Sequence, residues 1–227
     1  MILAPSHHVP LRRDTTLGAA FSGHETTGGT VPGLPVNLGD RTDPSVVAEE
    51  HAVELLLPAL KHFGITVPVA ALLAAPLSGP PAARAIADRV LDRLTAATSL
   101  RNDAGVDPDR VLWLVSSDFT HYGPRFGFCP FGNRRYGEIR DAVAEEDLRV
   151  AEAAASGSLE RFWASIQGES TVCGRYAIAL ALALLERVGA APAAGRVLSY
   201  YTSADGTPTP EEERDFVCYA TVEVCTE

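Results

Sequence analysis

The chain of 227 residues carries 19 basic against 29 acidic side chains, for a net charge of −10, with 46% hydrophobic and 21% charged residues. That composition predicts a single folded domain spanning 1–227 and excludes global disorder. The acidic balance argues against nucleic acid and anionic membranes as partners, because no basic surplus exists to neutralise phosphates.

ILA (2–4) reads as a strand running into the SHH loop. Residues 14–45 hold most of a glycine, proline and threonine cluster, which predicts irregular structure with a short hairpin. Val46, Val47, Val53, Leu57 and Leu60 space as a helix over 44–62, with Pro58 kinking or ending its regular part. TVPVAALLA (66–74) has the length of a strand. PPAARAIADRVLDRLTAA (80–97) is a helix, with prolines at its start and a repeating apolar face. RVLWLVSS (110–117) predicts a strand buried on both faces, as in a parallel sheet. An acidic, alanine-rich helix is expected over 136–155 and a shorter one near 158–167. TVCGRYAIALALALLERVG (171–189) predicts a helix closed by Gly189 at C′. RVLSYYTSA and FVCYATVEV alternate as two strands. The order predicts an α/β sandwich around a mostly parallel sheet. No apolar run reaches the roughly 18 residues of a spanning helix. MILAPSHH lacks the basic and apolar regions of a secretion signal, so the expected compartment is the cytoplasm.

Ligands of open α/β sheets bind outside the carboxyl ends of the strands. Two polar clusters fall at such ends: His7 and His8 after the first apolar run, and Asp118 and His121 after the 110–117 run. Each alone fits an ordinary capping or turn sequence; together they predict a site. In EEHAVELLLP, Glu50 and Glu54 are four residues apart and share a helical face, with His51 beside Glu50. A carboxylate there can orient a histidine or serve as an acid or base, whereas Glu49 reads as solvated. With Ser170 or Thr171 as N-cap, Cys173 falls in the first helical turn, where the macrodipole favours a thiolate. Cys129, Cys218 and Cys225 read as structural thiols. Imidazole with thiolate suits a transition metal better than magnesium or calcium. Neither a G-x-S-x-G elbow nor a phosphate-binding glycine loop occurs, which lowers hydrolase-triad and nucleotide-binding readings.

Taken in order, APSHHVPL, EEHAVELLLPAL, VSSDFTHYGPRFGF and TVCGRYAIALAL resemble the Memo family, called AmmeMemoRadiSam system protein B in bacteria and archaea. The resemblance runs from Ile2 to the final strand. It implies a fold similar to class III extradiol dioxygenases and a redox metal, iron or copper, bound through two histidines and a cysteine. His7 and Cys173 match ligand positions. Asp118 and His121 match the pocket residues of an SSD-x-x-H motif, and His51 with Glu50 and Glu54 matches an E-H-x-x-E segment. Family members begin with some tens of residues bearing a first strand and a P-H-A-G-Y type motif that carries the other histidine ligand. This chain has no such motif and starts inside what corresponds to the second strand. The expectation is therefore a sheet lacking the usual first strand, with a groove or exposed edge beside residues 1–6 and a tendency to form homo-oligomers.

The resemblance implies a metal-dependent, dioxygenase-like oxidoreductase, with His121 as acid/base and Asp118, Glu50 or His51 assisting. Its partners would be the AMMECR-type and radical SAM proteins of the same system. The alternative is a non-catalytic scaffold that binds phosphopeptides or another partner through the same pocket. The acidic balance weighs against that alternative, since phosphopeptide sites use arginine clusters.

Overall fold

A computed structural model describes residues 1–102, 105–132, 134–168, 171–189, 195–205 and 215–224. The backbone divides into two compact units, 1–117 with 174–190 and 118–173 with 191–227.

The first unit is built on a five-stranded sheet. Its strands are β1 (Ile2–Pro5), β2 (Thr16–Gly18), β5 (Arg41–Thr42), β6 (Ala71–Ala74) and β9 (Leu114–Val115), in the order β5-β2-β6-β1-β9. The β1–β6, β1–β9 and β2–β5 pairs are parallel and only β2–β6 is antiparallel. The sheet is thus mostly parallel, as the alternation of apolar strands and helices predicts. Short hairpins stand outside it: β3 (Gly23–His24) with β4 (Val31–Pro32), inside the segment expected to be irregular, and β7 (Arg101–Asn102) with β8 (Gly105–Val106).

Successive residues of β1 and β6 point to opposite faces. Ile2, Ala4, Ala71 and Leu73 enter a core with Val47, Val53 and Leu57. These last three come from α1 (Pro44–Glu49), α2 (His51–Glu54) and α3 (Leu56–His62). The predicted helix over 44–62 is therefore three short ones, broken at Glu50 and Leu55 rather than at Pro58. Pro58 lies inside α3, but it has no N–H to give the carbonyl of Glu54, and the chain breaks in that preceding turn. Helix α4 (Pro80–Ala97) has the predicted bounds, and it packs on α7 (Arg175–Arg187), which also meets β1 and β6. Arg84–Glu186 and Arg187–Asp88 ion pairs tie α4 to α7. Gly189, at φ +71°, occupies the position after the α7 C-cap where a left-handed residue is wanted.

Two strand expectations need correction. The 110–117 segment is a strand only over Leu114–Val115, and Leu112 is 54% exposed. Residues 108–110 form a 3-10 turn. Among the described residues β9 pairs only with β1, so this stretch lies at a sheet edge and its apolar residues are half-buried or, at Leu112, exposed. Conversely, β1 is not an edge. It is buried throughout and paired on both sides, so residues 1–6 present no exposed edge, but a cavity lined by Met1, Ile2, Leu34, Leu38 and Leu112 lies beside the start of the strand; among the described residues the outer strands are β5 and β9.

The second unit holds a three-stranded antiparallel sheet, β10 (His121–Tyr122), β12 (Phe216–Glu223) and β11 (Arg196–Thr202), in that order. α5 (Tyr136–Ala155) and α6 (Leu159–Ser165) match their predicted bounds to within two residues, and α5 packs on β11, β12 and α6. Tyr122 is buried and stacks between Phe131 and Phe216. Among the described residues, no helix is long and apolar enough to cross a membrane.

Candidate functional site

In the first unit, β1 ends at Pro5 and the chain turns at once through Ser6, whose hydroxyl donates to the Val9 carbonyl at 2.7 Å. That turn places His7 at the carboxyl end of a strand near the middle of the sheet. The break between α1 and α2 brings Glu50 to the same place. Glu50 is 0% exposed and caps α2, with its carboxylate accepting the Ala52 N–H at 3.3 Å.

The rest of this carboxylate faces histidine. Oε2 accepts the backbone N–H of His7 at 2.8 Å, and Oε1 lies 2.8 Å from His7 Nδ1 and 3.2 Å from His51 Nδ1. The His7 and His51 rings are 4.4 Å apart at their centroids, and His8 meets His51 edge-on at 5.9 Å. Burial pushes the Glu50 carboxyl up. The backbone and ring of His7 and the Ala52 N–H more than offset it, so the group sits below the usual glutamate value.

His7, Glu50 and His51 each offer a ligand atom within 4.8 Å of the others. Glu50 is occupied by N–H donors on both oxygens, so its chemistry is that of an orienting carboxylate. It fixes Nδ1 of His7 by a hydrogen bond and leaves Nε2 of that ring open to a ligand, while His51 Nδ1 only lies beside the same oxygen. Glu54, predicted on the same helical face, is exposed and outside this group: its N–H still bonds the Glu50 carbonyl at 2.9 Å, but Glu50 is the extended N-cap residue and its side chain turns back over the start of α2. Glu49 is exposed, as its solvated reading expects.

In the second unit, Cys173 and Asp118 meet. The Asp118 N–H donates to Cys173 Sγ at 3.2 Å, and the thiol can donate to the Asp118 carbonyl at 3.7 Å. One residue's backbone thus offers a donor suited to a thiolate and an acceptor suited to a thiol. The helix expected around Cys173 starts later: its N-cap is Gly174, so Cys173 precedes the first turn. Ser170 lies outside the described residues, as does Cys225. At this start the chain passes close to Ser117. Gly174 donates its N–H to Ser117 Oγ at 2.9 Å, and a Cβ on Gly174 would lie 2.5 Å from the Ser117 Cβ. Only glycine fits there, and the chain becomes helical after it.

His121 opens β10. Its Nε2 is 3.3 Å from Asp118 Oδ2 but out of line for a hydrogen bond, and its ring packs edge-on against Phe126 at 5.1 Å. Cys218 is buried, and burial raises its thiol well above the ordinary range, while Cys129 is exposed.

Asp147 was not foreseen. It lies in the acidic helix α5 yet is 2% exposed. It accepts from the Thr120 hydroxyl at 2.7 Å, the Thr120 N–H at 3.3 Å and the Tyr200 hydroxyl at 2.9 Å. Burial raises its carboxyl above the ordinary value despite these bonds. The spacing held a signal: Asp147 falls four residues after Val143 and three before Val150, both buried.

Fold and site together define an α/β protein with an imidazole–carboxylate cluster at the carboxyl edge of its parallel sheet. The Memo-like protein profile matches residues 35–223, and the chain belongs to that family. It is 26% identical over 155 residues to a MEMO1 family protein of Thermococcus onnurineus, covering 68% of this chain and 50% of the relative. It is 23% identical over 163 residues to a MEMO1 family protein of Pyrococcus horikoshii, covering 71% and 53%. The chain thus spans about half the length of the curated relatives it matches.

Proposed function

We propose that this Memo-family protein binds a redox-active transition metal, iron or copper, and works as a metal-dependent oxidoreductase of the AmmeMemoRadiSam system. The observation that carries the reading is the buried Glu50 carboxylate against Nδ1 of His7 and His51. A carboxylate of this kind fixes the tautomer of a ligating imidazole and raises its basicity. His7 is the imidazole ligand in this reading, and Cys173 is the thiolate ligand that the family resemblance adds. A bound iron or copper ion would supply a Lewis acid and a one-electron couple. His121, with Asp118 beside it, would take or give a proton at Nε2.

The test is metal analysis of protein purified without chelators, with affinities for added Fe(II) and Cu(II). The expected result is stoichiometric metal in the wild type, loss of most of it in His7→Ala, and weaker binding in Cys173→Ser. Added metal should also slow alkylation of Cys173 and leave Cys129 unaffected. Metal content that His7→Ala leaves unchanged overturns the proposal.

A further inference from the structure

We infer that Asp147 is a positioning residue for His121, acting through Thr120. The inference rests on the reading that His121 serves the pocket, and its test is separate from that reading. Both oxygens of one buried carboxylate hold Thr120: Oδ1 takes its hydroxyl and Oδ2 its backbone N–H. The carbonyl of Thr120 accepts the Cys218 N–H at 2.9 Å, and the preceding residue, Phe119, donates to the Cys218 carbonyl at 2.9 Å. Every polar group of Thr120 is thereby held, and the next residue is His121. The strand it opens pairs with β12 through His121–Val217 and Tyr122–Phe216, and the Phe119 and Thr120 bonds to Cys218 continue that contact toward the chain start. The carboxylate holds what β12 leaves unbonded, the Thr120 N–H and hydroxyl.

A buried carboxylate also costs more than an apolar residue of the same size would. At this position the helix face otherwise takes Ile139, Val143 and Val150, so core packing alone calls for another aliphatic side chain. A carboxylate that chelates the residue before His121 accounts for the exception. The second oxygen is shared with the Tyr200 hydroxyl, which ties β11 to the same point and provides an internal control.

The experiment is NMR of the full-length protein, following the His121 ring resonances. Phe126, edge-on at 5.1 Å, displaces them by its ring current, and Phe126→Leu identifies that displacement. Thr120→Val should abolish most of it and Thr120→Ser should restore it. Tyr200→Phe, which removes another hydrogen bond from Asp147, should lower the melting temperature similarly and leave the His121 resonances in place. Asp147→Asn should behave as Thr120→Val. The inference is overturned if Thr120→Ser behaves like Thr120→Val, or if Tyr200→Phe moves the ring as far. A displaced ring with unchanged oxidoreductase activity supports the positioning role and removes His121 from the proposed chemistry instead.

Discussion

Glu50 and Asp147 are both acids withdrawn almost completely from water, one in each unit, yet their carboxyls shift in opposite net directions. In both, desolvation is the largest influence and favours the neutral form. Glu50 overcomes it because its oxygens face two backbone N–H groups and imidazoles that can carry charge. Asp147 does not overcome it, because its partners are chiefly the hydroxyls of Thr120 and Tyr200. Hydrogen bonds from neutral hydroxyls satisfy a carboxylate without paying for its ionisation, whereas adjacent imidazoles do both. Glu50 is thus built to stay charged beside potential metal ligands, and Asp147 to hold a piece of backbone.

The sharpest way to break this comparison is to delete the carboxylate that stays charged. Glu50→Ala leaves the buried Ala52 N–H and the partly buried His7 N–H without their acceptor. The expected loss is about 3 kcal/mol of stability, read from urea midpoints at unchanged slope. In Glu50→Gln, which keeps the shape, metal affinity should fall by about 10- to 100-fold. Unchanged affinity would mean that Glu50 does not orient the ligands.

Acid titration of stability in the metal-free protein separates the two acids by sign. Glu50 is depressed in the folded chain, so its contribution is present above its ordinary value of 4.5 and is lost as pH falls through the lower folded value. Asp147 is raised, so the folded chain binds the extra proton, and its contribution is lost as pH climbs from 3.8 through the higher folded value. The stability of wild type relative to Glu50→Gln should shrink on acidification, while that relative to Asp147→Asn should grow. Parallel trends in the two differences would contradict the opposite environments.

The smallest effect is expected at Glu54, four residues from Glu50 and exposed. Glu54→Gln should change stability by less than about 0.5 kcal/mol and leave metal affinity alone. An effect on metal binding like that of Glu50→Gln would return Glu54 to the site.

Much of this architecture was legible along the chain. The helices 80–97 and 136–155 match their predicted bounds, because apolar periodicity sustained over several turns is a local signal. The strand end at His7 and the thiol of the Cys-Gly-Arg segment were likewise visible as polar residues following or leading apolar runs. The register of EEHAVE was not. A helical wheel pairs Glu50 with Glu54, but the backbone breaks at Glu50 so that its carboxylate can cap α2 and take the His7 N–H, 43 residues away.

The sequence by itself determined the mostly parallel α/β layer and the place of His7 just after an apolar strand, because these follow from periodicity and short-range chemistry. Only the tertiary structure decided which acids are buried, that β1 lies inside its sheet rather than at an edge, and that Gly174 lies against Ser117 just before α7. Each depends on which distant segments meet, and apolar spacing along one segment carries no record of its partners across the fold.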